Sequence, residues 1–312
     1  MYTIYKSNET GVLEEIQQIE KNCWIQCIAP TKKEINELLE SCQIPDYFIE
    51  DALDLEESAR VEHDADSNAT LVIQDLPVTV PTESDMFAFK TIPIGIILTN
   101  DVILTVCHQA VPSLNNLEKG IHTSMKSRFA LQLLLMIASM YVDHLKSLNK
   151  QRIRIEKNLK DALTNKELFK LMEIEKSLIY FLTSLKANDV VLKRLLRTQS
   201  IKMYEEDKEL LEDVLIESQQ AIETTELYTN IVESMSSTYS SLISNEMNSV
   251  MKTLTLFTIF LTLPTLVFSF FGMNVILPIS DRSPIGWIIT LGISLLLCIV
   301  VAVFLWRKRI FK

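Results

Sequence analysis

The sequence predicts an α+β membrane protein with an N-terminal cytosolic α/β domain, a long helical stalk and two C-terminal transmembrane helices. Three observations lead to this fold class. Strand-like segments are confined to about the first 110 residues. Glycine and proline are absent between Gly120 and Pro264, where apolar residues recur at helical spacing. The longest charge-free stretches lie at the C-terminal end of the chain.

The N-terminal domain is expected at 1–123, with helices at 31–42 and 46–57 among the strands. Thr31 and Glu34 have the spacing of a capping box, in which each side chain bonds the other residue's backbone N–H. Asn100 and Asp101 are typical of a hairpin turn between two apolar strands. The chain contains neither of the glycine-rich phosphate-binding motifs, so we expect no organic cofactor, no ATP hydrolysis and no enzyme activity.

Three long helices are predicted next, at about 124–163, 166–200 and 205–271. They divide the chain into an antiparallel helix pair at 124–203 and a stalk helix at 204–271 that continues into the membrane. A helix of about 65 residues is about 100 Å long and cannot be buried by one chain. A homo-oligomeric bundle or coiled coil is therefore favoured, with a monomeric helical hairpin as the alternative.

Charge-free length predicts two membrane spans. No charged residue lies between Thr253 and Ser280, and none between Arg282 and Arg307. Each stretch can cross about 30 Å of hydrocarbon as a helix, the first at about 252–271 and the second at 286–306. An external loop at 272–285 would join them, and a basic tail would follow at 307–312. Lys252 and this tail predict that both termini are cytoplasmic and that the chain lies in the plasma membrane.

The stalk helix has an unusual heptad pattern in its cytosolic part. Two series at seven-residue spacing mix apolar residues with serine and threonine, starting at Leu211 and Leu215. A tight dimeric coiled coil prefers branched apolar residues there, so this pattern favours helices held apart around water. Lys208 is the only basic residue between Glu205 and Glu246. That acidic stretch is either a solvated helix face or a surface that concentrates cations.

A polar stripe continues along the first membrane span. At 100° per residue, seven side chains fall within an arc of about 100°: Asn248, Met251, Thr255, Thr258, Thr262, Thr265 and Ser269. One interpretation is local, because hydroxyls in membrane helices often bond the carbonyl four residues earlier or allow close helix packing. The other is that copies of the helix surround a pore with a hydroxyl wall.

The tripeptide Gly272-Met273-Asn274 follows this stripe at the far end of the span. Glycine is expected to let the chain turn, and several asparagine oxygens around an axis would suit a hard cation that keeps its waters. The tripeptide, the two-span tail and the acidic helix together resemble the CorA-type magnesium and cobalt transporter family, over essentially the whole chain. The resemblance implies a homopentameric channel embedded in membrane lipid, with Mg2+ as both transported and regulatory ion.

The resemblance also assigns roles to residues. It implies a cytosolic entrance at Asn248 and an apolar constriction at Met251 and Leu254. Thr262 and Thr265 would line the pore further along, and Asn274 would form the outer selectivity ring. Regulatory divalent ions would bind between neighbouring cytosolic domains. The segments "FIEDAL" and "LLEDVL" resemble the segments that carry these acidic residues in the family. The resemblance therefore assigns the regulatory site to Asp51 and Asp213, with Glu50 and Glu212 as neighbours. Ordinary surface carboxylates are the alternative for these four residues.

Two departures from the family pattern are visible. Phe271 stands where tyrosine is most familiar, and the external loop is nearly neutral instead of acidic. The functional expectation is uptake of Mg2+, with Co2+ as a further ion, down the electrochemical gradient, gated by cytosolic Mg2+. The alternatives are a Zn2+ transporter of the same superfamily and a poreless membrane-anchored coiled-coil interaction protein. Divalent cations, lipid and further copies of the chain are the expected partners; nucleic acid is not.

Overall fold

The structure is a computed structural model that describes residues 1–81, 86–112, 122–161, 165–198, 201–273 and 284–307. The chain forms two compact units, Met1–Tyr239 and Ser240–Lys312. The first contains a mixed α/β fold with long helices, and the second contains the apolar helices near the C-terminus. The predicted fold class, with an N-terminal α/β domain, a long helix and apolar C-terminal helices, is confirmed.

A seven-stranded mixed sheet forms the centre of the first unit, in the order β2-β1-β3-β7-β6-β5-β4. Only β3 and β7 pair in parallel among the described strands; the other neighbours are antiparallel. The strands are β1 (Tyr2–Ser7), β2 (Leu13–Ile16), β3 (Trp24–Ile28), β4 (Arg60–Asp64), β5 (Ala69–Val80), β6 (Ala88–Leu98) and β7 (Ile103–Cys107).

The sequence predicts five strands, in the segments YTIYK, CWIQCIAP, NATLVIQDLPV, FAFKTIPIGIILT and DVILTVC, and these correspond to β1, β3, β5, β6 and β7. The two edge strands were missed. The hairpin turn expected at Asn100 and Asp101 is confirmed, because β6 and β7 pair antiparallel around it. The missed strands, β2 and β4, have the sequences LEEI and RVEHD. Both lie at an edge of the sheet, where charged side chains are common because they discourage pairing with another chain. They therefore lack the continuous apolar run that identified the buried strands.

Two short helices cover one face of the sheet. Helix α1 (Lys32–Cys42) begins with the predicted capping box of Thr31 and Glu34, which is confirmed. Helix α2 (Asp46–Leu53) ends four residues before its predicted boundary, since Asp54 has extended backbone angles. It lies very close to β6, because a Cβ atom added at Gly95 would come 2.4 Å from Cβ of Ala52. This contact fixes the position of α2, which contains Asp51.

Long helices account for most of the remaining chain. They are α3 (Lys126–Asp161), α4 (Asn165–Thr198), α5 (Glu205–Phe271) and α6 (Pro284–Arg307). The largest apolar core of the first unit joins one face of the sheet to α3, α4 and the first part of α5. A second core joins the other face to α1 and α2. The first part of α5 is thus held by packing within the same chain.

The water-filled interpretation of the heptad pattern is wrong for the first series. Leu211, Ser218, Thr225, Val232 and Tyr239 are all buried in the first unit. The hydroxyl of Thr225 donates to the carbonyl oxygen of Ala221 at 2.7 Å. Small side chains at these positions let α5 lie against the core of its own chain. They do not line a space around water.

Candidate functional site

Three described helices are long and apolar enough to cross a membrane. One of them lies within α3, and 56% of its most apolar stretch is buried inside the protein, so its apolar residues serve the core. The other two, in α5 and α6, have only 6% and 11% of that stretch buried. Apolar surface of that extent needs lipid or further protein around it. These two helices contain the two membrane spans that were predicted from long stretches without charged residues.

The polar stripe of the second unit lies on an exposed face of α5. All seven of its residues, from Asn248 to Ser269, are exposed in the single chain. Val267, on the opposite side of the helix at 100° per residue, is buried. Leu254, at the edge of the stripe, is 57% exposed. Within the described residues the face with hydroxyl groups is therefore exposed, while Val267 on the opposite face is buried.

Each threonine hydroxyl of the stripe donates to the backbone carbonyl oxygen four residues earlier. The distances are 2.8 Å for Thr255, 2.9 Å for Thr258, 2.7 Å for Thr262 and 2.8 Å for Thr265. This bonding uses the only hydrogen of each hydroxyl. The remaining lone pairs of the oxygens can accept hydrogen bonds, so the stripe presents acceptors and no free hydroxyl donors at these four positions.

The same local bonding also occurs away from the stripe. Thr253 lies on the far side of α5 and donates to the carbonyl oxygen of Ser249 at 3.0 Å. A threonine in this helix therefore satisfies its hydroxyl whichever face it is on. What distinguishes the stripe is the alignment of its oxygens along one exposed face.

Gly272 marks the end of α5. Its backbone N–H donates to the carbonyl oxygen of Phe268 at 2.9 Å. A Cβ atom added at Gly272 would lie 3.1 Å from that same oxygen, which is closer than side chains normally approach. The φ angle of Gly272 is not positive, so this close approach is the feature of the backbone that disfavours a larger residue here. Met273 is exposed, and Asn274 lies outside the described residues.

The expected regulatory carboxylate on α2 is already paired. Nη2 of Arg60 lies 2.6 Å from Oδ2 of Asp51, and the two side chains are 29% and 28% exposed. Arg60 also forms ion pairs with Glu57 and, at 3.3 Å, with Glu62. Burial lowers the pKa of Arg60, but the three carboxylates outweigh it and the pKa is raised. We call these four residues the Arg60 cluster.

The other expected regulatory residues form no ion pair with Arg60 among the described residues. Glu50 is exposed on α2, and Glu212 and Asp213 are exposed on α5. Among the described residues there is no group of three or more histidine, cysteine, aspartate or glutamate side chains arranged to hold a metal ion. A single chain therefore does not assemble a regulatory metal site from the described residues.

Sequence reasoning missed Arg60. It lies nine residues after Asp51, on the edge strand β4 that was also missed. A signal was present, because Arg60 stands among four acidic residues: Glu56, Glu57, Glu62 and Asp64. The contact between Arg60 and Asp51 on α2 is visible only in the structure.

An α/β unit followed by a 67-residue helix and a second apolar helix defines a membrane protein with a large extramembrane part. A family model described as CorA-like Mg2+ transporter protein matches residues 20–309. The chain belongs to this family.

Individual relatives agree with this assignment. The chain is 28% identical over 293 residues to the cobalt/magnesium transport protein CorA of Methanocaldococcus jannaschii, covering 90% of this chain and 89% of the relative. It is 24% identical over 269 residues to the magnesium transport protein CorA of Helicobacter pylori, covering 82% and 81%. The complete structure of the M. jannaschii CorA magnesium transporter matches with a TM-score of 0.80 at 25% identity, covering 98% of both chains.

Proposed function

We propose that the chain is a homopentameric channel in the plasma membrane that admits Mg2+, and also Co2+, down the electrochemical gradient. Membership of a Mg2+ transporter family supports transport of a divalent cation. The observation that carries the proposal is the exposed row of hydroxyl oxygens on α5, each with its hydrogen directed to the helix backbone. Copies of α5 around one axis would turn these rows into the wall of a pore.

Such a wall suits a hydrated cation. Water molecules around Mg2+ present their hydrogens outward, and the threonine oxygens are acceptors. Mg2+ gives up its waters reluctantly, so a wall that bonds the water shell can guide the ion without binding it too tightly to leave. A wall of carboxylates would hold the ion more strongly.

The narrower parts of the pathway are proposed at both ends of the stripe. Asn274, with Gly272 and Met273, would form the outer selectivity ring. Met251 and Leu254 would form an apolar constriction, and Asn248 the cytosolic entrance. The close approach of Gly272 to Phe268 would position the ring at the end of α5. Ions leaving past Asn248 would reach the acidic part of α5, where Lys208 is the only basic residue up to Glu246.

No further energy source is needed for uptake. A membrane potential of 100 mV contributes about 2.3 kcal/mol per elementary charge, and about twice that for a divalent ion. With both termini cytoplasmic, the external loop at 272–285 would face the side from which the ion enters.

The types of ligand atom on the stripe favour Mg2+ over Zn2+ as the physiological ion. The described stripe offers hydroxyl and amide oxygens, which suit hard cations, together with one thioether at Met251. Zn2+ prefers imidazole and thiolate ligands, and the stripe contains neither histidine nor cysteine. Competition between Zn2+ and Mg2+ for entry separates the two ions.

Closure by cytosolic Mg2+ is proposed to act through Asp51 and Asp213 of neighbouring chains, with Glu50 and Glu212 beside them. A site at ten times its dissociation constant stabilises the closed state by about 1.4 kcal/mol, and five sites by about 7 kcal/mol. The requirement for a second chain agrees with the absence of a metal cluster among the described residues of one chain. Arg60 would compete with the ion for Asp51.

The domain division is proposed accordingly. Residues 1–123 form the cytosolic α/β domain, 124–203 the helix pair, and 204–271 the stalk and pore helix. The second span at 286–306 and the basic tail at 307–312 complete the chain.

The proposal is tested by Mg2+ entry into proteoliposomes that contain the purified chain and a Mg2+-sensitive dye. Wild type is compared with Asn274→Ala at low internal Mg2+. Entry that is lost in the variant, with oligomer size unchanged, supports the channel and its asparagine ring. Equal entry in both removes the ring from the pathway. Absence of Mg2+ and Zn2+ entry in wild type would favour the poreless anchor.

A further inference from the structure

A cavity of about 760 Å3 lies between the end of the β5–β6 hairpin and the first turns of α4. Four lysines line it, Lys90 from β6 and Lys166, Lys170 and Lys176 from α4. Glu173 is the single carboxylate among the described lining residues. The whole chain has a formal net charge of −10, so this concentration of positive charge is opposite to the overall sign. Cation transport does not explain this cluster of lysines.

Most of this positive charge is not neutralised within the described part of the chain. Lys170 pairs with Glu167 at 2.6 Å. Lys90, Lys166 and Lys176 have no ion-pair partner among the described residues. Like charges around one concave volume repel each other, and an anion placed between them lowers that energy. The wall therefore favours an anionic ligand.

Two of the three aromatic rings that line the cavity are exposed, and the third, Phe89, is buried. Phe169 is 66% exposed and Tyr180 is 42% exposed, and both lie on the lysine face of α4. Exposed rings of this size are available to stack on a planar ligand group. The carboxylate of Glu173 can accept hydrogen bonds from an amino group or a sugar hydroxyl. The wall thus combines groups for a phosphate with groups for a base or sugar.

We propose that this cavity binds a nucleoside phosphate, with the phosphates on the lysines and the base on Phe169 or Tyr180. Its volume lies in the range of about 300–1,000 Å3 that is usual for small-molecule sites. All of its residues belong to the first unit, so binding does not depend on the ion pathway. Transport and nucleotide binding can therefore fail or succeed separately.

The test measures binding of fluorescent ATP and GTP analogues to the purified full-length chain in detergent. The variant combines Lys90→Gln, Lys166→Gln and Lys176→Gln. Its matched control combines Lys21→Gln, Lys32→Gln and Lys33→Gln, which changes the net charge equally at exposed lysines outside the cavity. We expect saturable binding that is weakened at least about tenfold in the cavity variant and unchanged in the control. No saturable binding to wild type, or equal loss in both variants, overturns the proposal.

A second variant tests the nucleoside part. The double variant Phe169→Ala with Tyr180→Ala should weaken binding of the nucleotide while leaving competition by inorganic tripolyphosphate unchanged. If tripolyphosphate competes as well as ATP and the double variant binds the nucleotide as wild type does, the ligand is a polyphosphate and the assignment to a nucleoside phosphate is wrong.

Discussion

The guanidinium of Arg60 lies 2.6 Å from the carboxylate of Asp51, the residue on α2 proposed to sense divalent cations. The same guanidinium contacts Glu57 and Glu62, so one positive charge serves three carboxylates. An ion that binds Asp51 must therefore compete with a cation built into the chain. The affinity of the sensor would be set by Arg60 as well as by the carboxylates.

Arg60→Gln is expected to make closure more sensitive to cytosolic Mg2+. Without the guanidinium, the three carboxylates attract a divalent ion more strongly, and we expect half-closure at about tenfold lower Mg2+, equivalent to about 1.4 kcal/mol. The measurement is Mg2+ entry into proteoliposomes across a series of internal Mg2+ concentrations. Arg154→Gln, an exposed arginine on α3, is the control. An unchanged Mg2+ dependence in Arg60→Gln would exclude Asp51 as a sensor.

Gly272→Ala should reduce Mg2+ entry strongly. The added Cβ atom would lie 3.1 Å from the carbonyl oxygen of Phe268, so the backbone at the end of α5 has to adjust by a few tenths of an ångström. We expect this adjustment to disturb the proposed asparagine ring. Gly292→Ala on α6 is a control, because the added Cβ atom there meets no atom within 4 Å outside its chain neighbours and the backbone of its own helix. We expect entry to fall about tenfold or more in the first variant and to stay at the wild-type rate in the second. Equal rates would show that the glycine is not needed for the ring.

Ser218→Ala should raise the thermal stability of the protein. Ser218 is 1% exposed, and its hydroxyl has no hydrogen-bond partner among the described residues. Removing an unsatisfied buried hydroxyl avoids its desolvation cost, about 1 kcal/mol. Thr225→Ala should be destabilising, since it removes a methyl group and a satisfied hydroxyl. Thermal unfolding in detergent compares the two, and a lower Tm for Ser218→Ala would contradict the burial of this face.

Asp75→Asn should stabilise the protein in a pH-dependent way. Desolvation raises the pKa of Asp75, and a hydrogen bond from Ser184 offsets this only in part. An acid with a raised pKa in the folded state favours folding most when it is protonated, and that contribution is lost as pH rises through the folded pKa. The Tm difference between variant and wild type should thus be positive at pH 7 and disappear near pH 4. Asp66→Asn, at an exposed position, should show no such trend.

Features that depend only on residues close together in the sequence could be predicted. Thr31 and Glu34 are three residues apart, and their capping box needs no distant contact. The membrane spans follow from length without charge, and the stripe from Thr255 to Ser269 follows from helical periodicity. In each case the residues that decide the structure are neighbours in sequence.

Contacts between distant segments could not be predicted in this way. The pairing of Asp51 with Arg60 depends on an edge strand whose sequence, RVEHD, has no apolar run. The heptad pattern correctly identified the face of α5 that contains Ser218 and Thr225 as distinct, but it predicted that water lies against this face. A pattern of small residues does not say which surface covers them. That surface is the core of the same chain.

We propose that the hydroxyl face of α5 lines a water-filled pore. Aqueous thiol modification in a Cys298→Ser background tests this, comparing Thr262→Cys on the stripe with Phe257→Cys on another exposed face. A positively charged methanethiosulfonate should block Mg2+ entry through Thr262→Cys and leave Phe257→Cys unaffected. Block of both to the same extent, or of neither while both variants conduct, would contradict a pore along this stripe.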